Sequence, residues 1–252
     1  MCRDCGCSIS GMEDENTHSH QHQKAHEHFH NNPQLNDVKT ISVIQKILDK
    51  NDHQAGHNRG HLDENSVLGI NLMSSPGSGK TTLLEYLADI AEFKFAVVEG
   101  DLETNRDSQR LESRGIKSVQ IQTGTACHLD AFMVHKGLHD IPLADIDVCF
   151  VENVGNLVCP ASYDVGTHLN IVLVSIPEGE DKIIKYPVMF RQADLILITK
   201  TDLLPYFKYD INNEKAEARV LKPNVDILEI NINDIDSIKA VADWIEFKRK
   251  MR

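Results

Sequence analysis

Cysteine and histidine are concentrated near the beginning of the chain, at spacings that suit metal binding. Three of the six cysteines stand within the first seven residues, and nine of the 13 histidines within the first 61. Thiolates bind soft and borderline metals such as Ni²⁺, Zn²⁺ and Cu⁺, and histidine-rich tracts are typical of metal binding. A redox-active cysteine tail is the alternative, but a reducing compartment favours metal. The predicted ligands are the thiolates of Cys2, Cys5 and Cys7, and the imidazoles of His18, His20, His22, His26, His28 and His30.

A phosphate-binding loop follows a short apolar run. The sequence Ser74-Ser75-Pro76-Gly77-Ser78-Gly79-Lys80-Thr81 lies between a predicted strand and a predicted helix, the context that the G-x-x-x-x-G-K-[ST] template requires. Backbone N–H groups at such a helix start bind phosphate oxygens, the lysine reaches the β- and γ-phosphates, and the hydroxyl of the last residue binds Mg²⁺. Ser74 replaces the first glycine of the template. The predicted nucleotide-binding residues here are Gly77, Ser78, Gly79, Lys80, Thr81 and Thr82.

A Lys-x-Asp sequence at residues 200–202 indicates which base is bound. It directly follows a late apolar run, and guanine-nucleotide proteins carry Asn-Lys-x-Asp at this place, where this chain has Thr199 instead of Asn. The Asp202 carboxylate is suited to accept from guanine N1–H and the 2-amino group, while Lys200 packs along the ring. Adenine lacks the 2-amino donor and its N1 is an acceptor, so the sequence favours GTP and GDP.

Two carboxylates end predicted strands that neighbour the loop. Asp101 follows the run at 95–98, and Glu152 ends the run at 148–151, three residues before Gly155. A carboxylate in this position holds Mg²⁺ directly or through water, and a glycine there lets a loop close on the γ-phosphate. We expect Lys80, Asp101 and Glu152 to act in catalysis, with Thr81, Asp101 and Glu152 holding Mg²⁺ and Gly155 contacting nucleotide. The pieces together predict a Mg²⁺-dependent GTPase.

A second group of metal ligands is predicted within the folded part of the chain. Cys127 and His128 are adjacent, and Cys159 follows Gly155 by four residues. These side chains supply three of the four ligands of a Zn²⁺ or Ni²⁺ site, or half of a site shared across a symmetric dimer. Cys149 lies in an apolar run, so we expect it in the core. Closure of Gly155 on GTP is expected to move Cys159 and so to change metal affinity.

Composition excludes several classes of protein. Against 26 Lys and Arg stand 38 Asp and Glu, which gives a net charge of −12, and an acidic surface disfavours nucleic-acid binding. No apolar run approaches the ~18 residues that a membrane-spanning helix requires, and the polar start lacks the apolar stretch of a secretion signal. We expect a cytoplasmic protein that binds neither nucleic acid nor membrane.

Short apolar runs alternate with helical patterns from residue 67 onwards. This alternation predicts an α/β fold with a mostly parallel sheet covered by helices on both faces, that of a P-loop NTPase or G domain. Residues 1–33 hold almost no aliphatic side chains, which predicts a disordered metal-binding tail. The apolar stripe of Val38, Ile41, Ile44, Ile47 and Leu48 predicts a helix that ends near Asn51, followed by a polar connector. The predicted divisions are 1–33, 34–65 and 66–252.

The motifs taken together closely resemble the HypB family of hydrogenase nickel-incorporation GTPases. The resemblance is carried by Cys-x-x-Cys-Gly-Cys, the histidine tract, the phosphate loop, Glu-Gly-Asp, Cys-His-Leu-Asp-Ala, Glu-Asn-Val-Gly-Asn-Leu-Val-Cys-Pro and Lys-Tyr-Pro-x-Met-Phe, over essentially the whole chain. It implies GTP hydrolysis that governs nickel delivery to the large subunit of [NiFe]-hydrogenase. It also implies a GTP-promoted homodimer and the nickel-binding accessory protein HypA as partner.

The resemblance also assigns roles to residues. Cys2, Cys5 and Cys7 match the family's N-terminal nickel site, and the histidine tract resembles a nickel store of some members. Cys127, His128 and Cys159 match a Zn²⁺ or Ni²⁺ site near the dimer interface. Three alternatives remain: a GTPase that serves urease or a zinc enzyme, a nickel store with a vestigial nucleotide site, and a small-molecule kinase that uses ATP.

Overall fold

A computed structural model describes residues 38–101 and 106–252, and its centre is a parallel seven-stranded sheet. The predicted N-terminal thiolate site and histidine tract lie outside these residues. The strand order is β3-β2-β4-β1-β5-β6-β7, with every neighbouring pair parallel. The strands are β1 (Leu68–Ser74), β2 (Phe95–Asp101), β3 (Lys117–Gln122), β4 (Val148–Glu152), β5 (Leu169–Ser175), β6 (Leu195–Thr199) and β7 (Asp226–Glu229).

The apolar runs of the sequence form the central strands because both of their faces are covered. Every residue of β1, β4 and β6 is buried, as expected for strands between two layers of helices. Cys149 is fully buried in β4, and burial raises the pKa of its thiol to about 12. The predicted α/β fold is confirmed, and so is the core position of Cys149.

Eight helices cover the two faces of the sheet in the described part of the chain. Residues of α2, α3 and α8 share one apolar cluster with the sheet, and residues of α1 and α4 share another on the opposite face. The helices are α1 (Val38–Glu64), α2 (Lys80–Ile90), α3 (Arg106–Ser113), α4 (Ala131–His139), α5 (Lys182–Lys185), α6 (Pro187–Gln192), α7 (Ile211–Leu221) and α8 (Ile235–Lys250). No described helix is long and apolar enough to cross a bilayer.

Helix α1 continues well beyond the predicted end near Asn51, so the expectation of a polar connector was wrong. Residues 51, 55, 58 and 62 are buried on one face of the helix at helical spacing, but two of these four are asparagines. The Asn51 amide donates to Asp164 O at 2.8 Å and accepts from Ala131 N at 2.9 Å. Because hydrogen bonds replace apolar contacts along half of this stripe, a search for hydrophobic periodicity does not detect it.

Candidate functional site

The phosphate loop leaves the centre of the sheet, where β1 lies between β4 and β5. Its glycines are required by conformation, since Gly77 has φ 76° and Gly79 has φ 99°, values that L side chains rarely adopt. Gly79 is the N-cap of α2, so the backbone N–H groups at the start of this helix face the loop. Such a helix start is a binding site for phosphate oxygens.

The Lys80 and Thr81 side chains are held by neighbours at the carboxyl edge of the sheet. The ammonium of Lys80 donates to Ser74 Oγ at 3.0 Å, and Thr81 Oγ1 donates to Glu152 Oε1 at 2.8 Å. Glu152 is buried, and its Oε2 has no hydrogen-bond partner among the described residues. Burial raises the pKa of Glu152, while Lys80 and Thr81 oppose the rise.

A cavity of about 360 Å³ opens beside these residues and has an acidic wall. Glu99 is 2% exposed, and its pKa is raised to about 8, first by burial and then by the negative charge of Glu152. Asp101 lies at the end of the same strand and lines the cavity too. Buried carboxylate oxygens beside a threonine hydroxyl match the oxygen ligands that Mg²⁺ prefers. The residues present therefore fit a nucleotide-bound divalent cation.

The segment predicted to read the base packs on the phosphate loop. Thr199 Oγ1 donates to Ser78 O at 2.8 Å, and Lys200 Nζ donates to Gly77 O at 2.8 Å. Lys200 adopts a left-handed conformation with φ 60°, which turns the chain sharply at the end of β6. Asp202 is half-buried in the short 3₁₀ helix Thr201–Tyr206. Among the described residues, neither Lys200 nor Asp202 lines the phosphate cavity itself.

The structure brings Cys127, His128 and Cys159 together from separate segments. Cys127 and His128 lie between β3 and α4, and Cys159 begins a short 3₁₀ helix after β4. The two sulfurs are 2.8 Å apart, Cys127 Sγ is 3.9 Å from His128 Nδ1, and the three donor atoms all lie within 4.8 Å of one another. The His128 ring stacks on Tyr163 at 4.0 Å. Two thiolates and an imidazole form a ligand set for Zn²⁺ or Ni²⁺.

The loop after β4 connects the nucleotide cavity with this cluster of predicted ligands. Gly155 packs directly on the phosphate loop, so a Cβ atom there would lie 2.8 Å from Pro76 Cα. The next residue, Asn156, accepts from Val158 N at 2.8 Å and from Cys159 N at 3.4 Å. Only three residues thus separate a glycine in contact with the phosphate loop from a predicted ligand cysteine.

Residues that sequence reasoning missed also line or support the cavity. Arg110 reaches it from α3 and is paired with Glu85 and Asp107, although the sequence suggested no arginine for the phosphates. Glu178 accepts from Ser78 Oγ at 2.6 Å and also from Ser75 Oγ. The spacing of Ser175 and Glu178 is that of a capping box, which is the one signal in the sequence for this residue. Glu99 had a signal as well, since a carboxylate stands within an apolar run.

Comparisons with known proteins agree on one family. The family model described as CobW/HypB/UreG, nucleotide-binding domain, matches residues 68–229. The chain is 50% identical over 223 residues to the hydrogenase/urease maturation factor HypB of Helicobacter hepaticus, covering 87% of this chain and 92% of that protein. It is 41% identical over 219 residues to the hydrogenase maturation factor HypB of Escherichia coli K12, covering 86% of this chain and 76% of that protein.

Solved structures give the same result at the level of three-dimensional fold. The crystal structure of HypB from Helicobacter pylori in complex with nickel matches with a TM-score of 0.79 at 43% identity, covering 80% of this chain and 96% of that chain. HypB from Archaeoglobus fulgidus matches with a TM-score of 0.75 at 36% identity, covering 80% and 100%.

Proposed function

The chain belongs to the HypB family of P-loop GTPases, and from this premise we propose that it is a nickel-delivery switch in enzyme maturation. GTP binding and hydrolysis control the affinity of the Cys127, His128 and Cys159 cluster for nickel, which is the cargo. The client is the large subunit of [NiFe]-hydrogenase. The relatives named above support a role in maturation, and one of the solved relatives was crystallised with nickel.

The observation that carries this proposal is the short connection between the two sites. Glu152 accepts from the Thr81 hydroxyl, and Cys159 lies seven residues later beside Cys127. A loop that must rearrange around a γ-phosphate cannot move freely without shifting the backbone that holds Cys159. The two sites thus share one movable element, which is what coupling between them requires.

At the nucleotide site, the chain's own residues bind and orient GTP. Backbone N–H groups of residues 77–81 hold the phosphates, and Lys80 neutralises charge on the β- and γ-phosphates. Thr81, Asp101 and Glu152 are proposed to hold Mg²⁺, which supplies further neutralisation of phosphate charge when bound. Asp202 and Lys200 are proposed to select guanine. Closure of the Gly155 loop excludes water other than the attacking molecule.

At the metal site, the loop position sets how well the ligands converge. Nickel binds best when both sulfurs and the imidazole reach the same point, and a displacement of Cys159 away from that point removes a ligand. Hydrolysis and phosphate release allow the loop to relax and release nickel towards a partner. We propose HypA as the nickel-exchanging partner and a GTP-promoted homodimer as the delivering form. The proposal also includes nickel binding by the N-terminal cysteines and histidines. Zn²⁺ is the proposed alternative occupant of the metal site.

Urease is a second candidate client. The relative from Helicobacter hepaticus is named a hydrogenase/urease maturation factor and is 50% identical over most of the chain. A mere nickel store is less well supported, because Thr81 and Glu152 retain the hydrogen-bonded pair that a vestigial nucleotide site has no need to keep.

The test is nickel affinity in two nucleotide states. The full chain with Cys2, Cys5 and Cys7 changed to Ser is titrated with Ni²⁺ in GDP and in a non-hydrolysable GTP analogue, and thiolate-to-nickel absorption is followed. We expect affinities that differ by about tenfold or more, a typical coupling energy of 1–3 kcal/mol. Equal affinities would refute the switch and leave two independent modules.

A matched cysteine control accompanies this titration. Changing Cys127 and Cys159 to Ala should remove the absorption and its dependence on nucleotide, while GTP affinity stays within about threefold. Cys149→Ala removes a buried thiol that does not belong to the cluster and should leave the absorption and the GTP affinity unchanged.

A further inference from the structure

Five histidines face one another where helices α1 and α4 meet, away from the nucleotide cavity. Those on each helix are spaced by four residues, so they lie on one face. They surround an open cavity of about 550 Å³ whose lining also includes Glu64 and two helix glycines. This α1–α4 histidine cluster consists of His53, His57, His61, His135 and His139.

The tautomer of His135 is fixed by a buried asparagine. Asn58 is fully buried, and its amide nitrogen donates to Ala131 O at 2.8 Å and to Val165 O at 3.1 Å. Its Oδ1 can therefore only accept, and His135 Nδ1 lies 3.0 Å from it. His135 thus carries its proton on Nδ1, and the lone pair is on Nε2. Metal-binding histidines are oriented in this way, with the other ring nitrogen donating to an oxygen.

That lone pair points at a second histidine nitrogen. His135 Nε2 and His139 Nε2 are 3.1 Å apart. Two nitrogens that each bind one ion at about 2.0–2.1 Å lie about 2.9–3.4 Å apart for angles from square to tetrahedral, so this separation already suits a shared metal. The His61 ring faces His139 from α1, with 5.6 Å between the centroids, so a third imidazole lies next to this pair.

We propose that His61, His135 and His139 form a second metal site, which binds Zn²⁺ or Ni²⁺ through imidazole nitrogens with water completing the coordination. Imidazole suits both ions. His139 is exposed, so bound metal exchanges with solvent. The site joins α1 to α4 and is independent of the thiolate cluster that the proposed switch uses.

The experiment uses ZnCl₂ without nucleotide and the full chain in which Cys127 and Cys159 are changed to Ser. A site formed only by the folded chain raises the melting temperature, by about 5 °C or more at a hundredfold excess of metal over Kd. His139→Ala, at an exposed position, should abolish most of this rise, and His61→Ala should reduce it. His53→Ala removes an exposed histidine of the same helix that is not a proposed ligand and should retain the rise.

Nitrogen-15 NMR of the histidine rings gives a second readout, which does not require the protein to be unfolded. Without metal, His135 should show Nδ1–H and unprotonated Nε2. Addition of Zn²⁺ should shift the Nε2 resonances of both His135 and His139. Unmoved Nε2 resonances, or a rise in melting temperature that His139→Ala leaves intact or that His53→Ala abolishes equally, would overturn the proposal.

Discussion

The side-chain oxygen of Asn153 accepts a hydrogen bond from the backbone N–H of Leu129 at 3.0 Å. Asn153 follows Glu152, which accepts from the Thr81 hydroxyl, and Leu129 follows the proposed ligand His128. The same oxygen also accepts from Val154 N at 3.0 Å. One buried amide thus joins the loop that contacts the phosphate loop to the segment that carries two of the proposed metal ligands. This is a second connection between the sites, separate from the chain path to Cys159.

Asn153→Ala is expected to weaken the dependence of nickel affinity on nucleotide. The change leaves the N–H groups of Leu129 and Val154 without their acceptor, at a cost of about 2 kcal/mol in stability. The ratio of nickel affinities between the GTP analogue and GDP should fall by about threefold or more, with nucleotide affinity much less affected. Titration of the variant in both nucleotide states measures this ratio.

Asn71→Ala is the matched control for that variant. Asn71 is also buried and accepts from the Asn153 amide at 3.3 Å, whereas the Leu129 N–H donates to Asn153. It should lower stability while preserving the ratio of affinities. If both variants changed the ratio equally, general loosening of the core rather than the contact with Leu129 would be responsible.

Gly155→Ala should impair nucleotide binding by pushing the loop away from Pro76. The added Cβ would lie 2.8 Å from Pro76 Cα and 2.9 Å from its nitrogen, both backbone atoms that cannot rotate aside. We expect GTP affinity to fall by about tenfold or more, measured by isothermal titration. Gly56→Ala adds a Cβ into open space on α1 and should leave GTP affinity unchanged while stabilising the helix by about 0.5–1 kcal/mol. Unaltered GTP affinity in Gly155→Ala would mean that the loop can move away from Pro76 without affecting nucleotide binding.

The sequence was sufficient to predict the elements whose patterns are local. Glycines and a lysine at fixed spacing predict the phosphate loop, and continuous apolar runs predict the buried strands. Cys127 and Cys159 were grouped by residue type, and the fold brings them together because β3 and β4 both end at the carboxyl edge of the sheet. Parallel topology makes this convergence predictable without coordinates.

What the sequence did not reveal depends on polar contacts between distant residues. Asn51 and Asn58 are buried because carbonyls of other segments receive their hydrogen bonds, and no periodicity of apolar residues encodes this. Glu178 supports Ser78 across a sequence separation of 100 residues. Likewise, His135 gains its orientation from Asn58 of α1, so its proposed role emerges only when the two helices are seen side by side.

Asp202→Asn should change the preferred nucleotide. The carboxylate is proposed to accept two hydrogen bonds from guanine, and an amide in its place instead matches xanthine, which has an oxygen where guanine has the 2-amino group. We expect GTP affinity to fall by about a hundredfold and XTP affinity to rise above it, in line with the cost of leaving polar groups unpaired. Competition binding with GTP, XTP and ATP measures the order.

Asp243→Asn provides the control, since it removes an exposed carboxylate on α8. It should retain the preference for GTP. If Asp202→Asn left GTP binding intact, the assignment of residues 199–202 to base recognition would be wrong.

Glu214→Gln is expected to stabilise the protein at alkaline pH. Glu214 is fully buried in α7, neither of its side-chain oxygens has a hydrogen-bond partner among the described residues, and burial together with the nearby Glu217 raises its pKa to about 8. The folded state therefore keeps a proton between pH 4.5 and 8 that the unfolded state has lost, so stability falls as pH rises through this window.

The amide does not titrate, and its variant should show a flatter profile, with a melting temperature about 2–4 °C above the wild type at pH 8 for each 1 kcal/mol recovered. Thermal unfolding from pH 5 to 9 measures this, with Glu92→Gln as the exposed control. Parallel profiles for the wild type and Glu214→Gln would show that Glu214 is ionised in the folded protein at neutral pH.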